Sequence, residues 1–205
     1  MSGVEAGGAQ GNAGLRGALR ERRKALLAAV VLVIILAAAA ASLRSQQGAP
    51  TTATSTGTTT ISGGAYAIVT SAAQSEPAGF VLESSQQTGS GASAWATMQQ
   101  ADGSGANVTV IIYPSAAAAS AYYGRVVAGV EGLPGYTAIS SALSSFQGYG
   151  ACYGYGEQAD NISVANGVCT KGNAFLQVHL ESGIAFSSLE ADLTTVMGAL
   201  YESAN

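Results

Sequence analysis

The longest unbroken apolar stretch of the chain comes early. Residues 25–43 read ALLAAVVLVIILAAAAASL, without one ionisable side chain. Such a helix has no polar stripe to turn toward water. At about 1.5 Å per residue it extends about 28 Å, close to the hydrocarbon thickness of a bilayer. The pattern predicts a single transmembrane helix. Beyond residue 64 the period of the apolar positions changes. Short alternating or compact runs predict strands over 66–70, 79–84, 94–99 and 107–113, the last reading NVTVIIY after the turn-like Asp102-Gly103-Ser104-Gly105. Pro114-Ser115 then opens a helix in which Ala119, Tyr122, Tyr123, Val126, Val127 and Val130 recur at three- and four-residue steps. Gly132, Pro134 and Gly135 end it. Strands are predicted again over 149–156, 164–170 and 174–181. In the last helix, Ser187 and Glu190 have the spacing of a capping box, in which each side chain satisfies an orphan backbone N–H of the first turn. Leu189, Leu193, Val196, Met197 and Leu200 supply its core face.

Strands, helix, strands, helix: this order predicts an α+β fold, an antiparallel sheet with two helices packed on one face. In element order it is similar to the Mog1/PsbP-like α/β sandwiches, and the resemblance implies that architecture. Four segments follow from the composition: a basic tail over 1–24, the membrane helix over 25–43, a Thr/Ser-rich linker over 44–64 and one domain over 65–205. That last segment is long enough for one core and too short for two comfortable domains. The tail is a Gly/Ala mixture with no apolar period and is read as disordered. The linker contains APTTATSTGTTTISGG, which cannot build a core. It is either an O-glycosylated stalk or an unmodified flexible tether.

Charge orients this arrangement. Arg16, Arg20, Arg22, Arg23 and Lys24 precede the apolar run, which places the N-terminus in the cytoplasm and the C-terminal domain outside it. Two rival readings of the same segment share that outcome. One is a cleaved signal peptide, since residues 37–41 offer Ala-x-Ala sites; the other is a pilin-type signal cut near Lys24-Ala25. Past Arg44, Arg125 and Lys171 are the only basic residues, against ten carboxylates, so the outer domain has no footprint for nucleic acid. Charged residues are only 10% of the chain, against roughly 25% in soluble domains. Few carboxylates leave few groups whose protonation unfolds a domain, which predicts one that tolerates acid.

Cys152 and Cys169 are the only cysteines, and outside the cytoplasm a lone pair predicts a disulfide. If 149–156 and 164–170 form a hairpin turning near Asp160-Asn161, the two residues stand opposite each other. Asn107-Val108-Thr109 and Asn161-Ile162-Ser163 are glycosylation sequons, with Asn161 at the expected hairpin tip.

Chemistry is harder to find. His179 is the only histidine, so neither a blue-copper set nor a His-rich zinc site can be assembled within the chain. No Gly-x-Ser-x-Gly, dinucleotide fingerprint, Walker A loop or EF-hand spacing occurs, so no catalytic residue, metal or cofactor is assigned. Alternation puts Leu176, Val178 and Leu180 on the core side and leaves His179 as a solvated or hydrogen-bonded surface residue beside Gln177. One segment is unusual: Tyr149, Tyr153 and Tyr155 alternate with Gly148, Gly150, Gly154 and Gly156. The bare glycine face admits a close neighbour. The tyrosine row either packs beneath the helices or presents flat amphipathic rings to a protein or glycan partner. The expected function is a membrane-anchored, non-catalytic binding module or an accessory subunit of an envelope complex. The alternatives are a pilin-like filament subunit and a small extracytoplasmic hydrolase built on His179 and one of many serines.

Overall fold

The computed structural model describes residues 60–61, 63–131, 133, 135–139, 143–144, 150–159, 162–183 and 185–205. The strands are β1 (Val81–Gln87), β2 (Ser93–Gln99), β3 (Gly105–Ile112), β4 (Thr137–Ala138), β5 (Cys152–Ala159), β6 (Ile162–Lys171) and β7 (Ala174–Ser182). The α-helices among the described residues are α1 (Ala65–Gln74), α2 (Ala116–Glu131) and α3 (Phe186–Ser203), with one 3-10 turn at Pro77–Gly79. One seven-stranded sheet carries them in the order β1-β2-β3-β7-β6-β5-β4. Two meanders, β1 to β3 and β5 to β7, are joined edge to edge by antiparallel pairing of β3 with β7. The segment containing α2 takes the chain from the middle of the sheet to its far edge, and the second meander walks it back.

Successive side chains on a strand point to opposite faces, and here the two faces are built differently. One carries Ala94, Ala96 and Met98, then Ala106, Val108 and Val110, then Leu176, Val178 and Leu180, all in one buried cluster. Against it lie α1, through Ala65, Ile68, Val69, Ala72 and Ala73, and α3, through Leu189, Leu193, Val196, Met197 and Leu200. Alanine in the outer strands lets the helices sit low on the sheet. Each fully buried leucine in this layer contributes about 1.5–3 kcal/mol. On the opposite face α2 packs over β6 and β7, with the Tyr122 ring edge-on to Phe175 at 4.8 Å.

Both ends of the domain are fastened by side chains. Asn173, in the β6–β7 turn, accepts the Ile61 backbone N–H through Oδ1 at 2.8 Å and donates from Nδ2 to the Tyr113 carbonyl at 3.0 Å. Ile61 is itself buried in the core. At the C-terminus Lys171 Nζ donates to the Tyr201 carbonyl and to Asn205 Oδ1, at 2.7 and 2.6 Å, a cation placed where the carbonyls of α3 run out.

Three expectations change. Residues 66–70 are not a strand but the first part of α1, whose buried positions 65, 68, 69, 72 and 73 keep the helical period. Two helices do pack on one face, but they are α1 and α3, while the helix opened by Pro114-Ser115 lies on the other. The Ser187/Glu190 capping box is not formed: α3 begins two residues earlier, at Phe186, and its N-cap is Ala185 rather than Ser187, with no side-chain cap bond. Phe186 packs onto the core beside β5, and burial of that ring sets the start of the helix. Ser115 does cap α2, its Oγ accepting the Ala118 N–H at 3.2 Å. Among the described residues no helix is long and apolar enough to cross a membrane; the run over 25–43 lies outside them.

Candidate functional site

The tyrosine–glycine strand is β5, and the sheet sorts it as alternation requires. Cys152, Gly154 and Gly156 take the closed face. A Cβ on Gly156 would lie 2.5 Å from the Phe186 ring, and one on Gly154 would lie 2.9 Å from the Ile139 carbonyl oxygen. These glycines are where α3 and the segment after β4 come closest to the sheet. Cys152 pairs directly with Cys169 and the disulfide is formed, with a Cα–Cα distance of 4.2 Å. Pairing continues to Ala159 and Ile162, leaving Asp160 and Asn161 between them. Asn161 lies outside the described residues.

Tyr153 and Tyr155 take the other face, on the side of α2. The Tyr155 ring is 9% exposed, packed edge-on to Tyr136 at 5.7 Å and beside Tyr153 at 6.0 Å. Burial raises its hydroxyl pKa to about 12. Tyr153 is half-buried, and Tyr149 lies outside the described residues. Little of the Tyr155 ring is left for a ligand.

Next to these rings the same face becomes polar, and its register decides what meets there. One cross-strand row runs Thr97, Asn107, His179, Asn166 and Tyr155, over β2, β3, β7, β6 and β5. The row beside it runs Trp95, Thr109, Gln177, Val168 and Tyr153. Within the first row Thr97 Oγ1 donates to Asn107 Oδ1 at 3.0 Å, and His179 Nδ1 stands 2.8 Å from Asn166 Oδ1. An amide oxygen only accepts, so Nδ1 carries the proton of the neutral ring and Nε2 is its acceptor. Burial holds the His179 pKa below the ordinary imidazole value, which keeps the ring neutral near pH 7. His179 is thus hydrogen-bonded and half-buried rather than fully solvated, because β7 is a central strand flanked on both sides. Asn107, the first sequon residue, is half-buried in the same row.

Trp95, Thr97, Thr109 and Asn166 were not legible as site residues from spacing alone. A signal was present: β2, β3 and β7 each place polar or aromatic groups at alternate positions, Trp-x-Thr, Asn-x-Thr and Gln-x-His. Among the described residues, α2 packs on β6 and β7, and no helix covers this face over β1 to β3. The result is a shelf: a floor of polar side chains on β2, β3 and β7, bounded on one side by α2 and its Tyr113–Tyr122–Phe175 cluster. No protein-family model matches the chain, and no curated protein matches it either. Chemically the shelf can donate and accept hydrogen bonds and offer part of the Trp95 indole, which is half-buried. The donor side of its one imidazole is committed to an amide rather than to a carboxylate or a serine.

Proposed function

We propose that this chain is a membrane-anchored extracytoplasmic binding module, or the accessory subunit of an envelope complex, with no catalysis of its own. The observation that carries this reading is the shelf. A catalytic imidazole of the triad type is oriented on one side by a carboxylate or an amide and bonded on the other to a nucleophile; His179 has the amide, Asn166, and among the described residues no hydrogen bond to a hydroxyl or thiol. The apolar run over 25–43 and the cations before it support a span with the N-terminus in the cytoplasm, and the disulfide suits an oxidising compartment. The order of strands and helices around the sheet supports the Mog1/PsbP-like outline.

The test is purification of the full chain from its native membrane in mild detergent, with intact mass read from the same sample. An uncleaved N-terminus together with a stoichiometric companion or a captured ligand is the expected result. A mature N-terminus at Ala25 would make the chain a filament subunit. Turnover of an ester or amide substrate that disappears in His179→Ala would make it a hydrolase.

A further inference from the structure

We infer that the shelf on β2, β3 and β7 is a glycan-binding site, and that its ligand is a neutral oligosaccharide stacked on Trp95. The inference deepens the binding-module reading and rests on it. Four observations support the choice of ligand.

First, the two rows of the floor carry no formal charge. Trp95, Thr97, Asn107, Gln177 and neutral His179 make up the accessible floor around a buried Thr109, in a domain whose other polar positions include ten carboxylates. An anionic ligand would need cations among these side chains. The nearest one on the α2 side is Arg125, which lies over the Tyr122 ring at 5.6 Å. Second, internal hydrogen bonds set the polarity of what remains. Asn107 Oδ1 is taken by Thr97, which leaves its amide N–H groups to donate. His179 Nδ1 donates to Asn166, which leaves Nε2 to accept. Directly paired residues on adjacent strands, Asn107 and His179, therefore offer a donor and an acceptor side by side. Sugar hydroxyls satisfy such a pair, because each both donates and accepts.

Third, Trp95 is the only tryptophan in the chain, and it is half-buried on β2 where no described helix covers it. A partly exposed indole among amide and hydroxyl side chains suits a pyranose ring, whose C–H face is an apolar surface rimmed by polar groups. Fourth, peptides fit poorly here. The backbone groups of β2, β3 and β7 are already paired on both sides, so an added strand finds no edge. An amphipathic helix would require an apolar stripe, and the floor is amide and hydroxyl.

The experiment uses the full chain in a detergent without a sugar headgroup and reads the emission of its single tryptophan. The probes are neutral hexasaccharides of glucose, mannose and galactose, with an oligouronate and hexaglycine beside them. A saturable emission shift with at least one neutral hexasaccharide is expected, and little with the uronate or the peptide. Asn107→Ala and Gln177→Ala should each weaken that binding about tenfold, the loss of one or two hydrogen bonds. Their circular dichroism and thermal midpoint should be unchanged. No shift with any neutral hexasaccharide overturns the inference, as does binding that both variants leave intact. A companion protein that co-purifies with a chain blind to all the sugars would sink the glycan shelf and leave the binding-module reading standing.

Discussion

The two faces of one sheet can be compared strand by strand. On β3, Ala106, Val108 and Val110 point to the closed face, while Asn107 and Thr109 point to the shelf. On β7, Leu176, Val178 and Leu180 alternate with Gln177 and His179 in the same way. The closed face gains by being dry and close-packed, so its side chains are small or branched and its glycines admit neighbours. On the shelf, Thr97 is held to Asn107 and His179 to Asn166 by short polar contacts. Changes on the first face should therefore appear as lost stability, and changes on the second as lost affinity at constant stability.

The comparison breaks most clearly if a closed-face change proves harmless. Leu193→Ala removes a fully buried side chain that packs toward Gly167 and should cost about 2–5 kcal/mol in chemical denaturation. Replacing Cys152 and Cys169 together by Ala should cost about 3 kcal/mol, since the bridge closes a loop with a sequence separation of 17. Gly156→Ala drives a methyl into the Phe186 ring and the Val164 carbonyl and should cost about 1–3 kcal/mol by the same measurement.

The smallest effect is the most informative about the shelf. Burial lowers the folded pKa of His179, so the unfolded chain binds its proton more readily. The contribution is whole above the ordinary value of 6.5 and is lost as pH falls below it. Asp102, whose carboxylate accepts the Ser104 N–H, adds a loss of the same sign at more acid pH. The thermal midpoint should decline modestly below pH 6.5, and His179→Gln should flatten that decline. A wild-type midpoint that stays level down to pH 5 would mean that folding does not desolvate the His179 ring enough to lower its pKa. The acid tolerance expected from sparse charge is thus limited by one neutral imidazole.

Much of this architecture was legible because period and turn chemistry are local. The strand NVTVIIY, the helix after Pro114-Ser115 and the pairing of Cys152 with Cys169 all follow from near neighbours. Residues 66–70 misled because Ile68, Val69 and Thr70 are β-branched, and such residues favour strands. The alanines at 65, 72 and 73 complete a helical stripe that a hydrophobicity reading underweights. The Ser187 motif misled for the opposite reason: it satisfies the local rule, but packing of Phe186 moved the start of the helix. The shelf lay beyond reach on other grounds. Asn107 and His179 are paired neighbours 72 positions apart, and only the joining of β3 to β7 brings them together. Alternation tells which side a residue takes, but not which strand lies next to it.

The Asn173 clamp has a mechanical consequence. A load applied to the chain ahead of Ile61 reaches the domain at Ile61, whose side chain is buried in the core and whose N–H is held by one amide side chain. Asn173 hands that load to Tyr113 at the end of β3 and, through its own backbone, to the start of β7. These strands are the third and fourth of seven. A pull on an edge strand peels hydrogen bonds one after another, as a zipper opens. A pull delivered to the centre meets ladders on both flanks that must yield together. A load entering at Ile61 is thus met by the central strands of the sheet, β3 and β7, rather than by an edge.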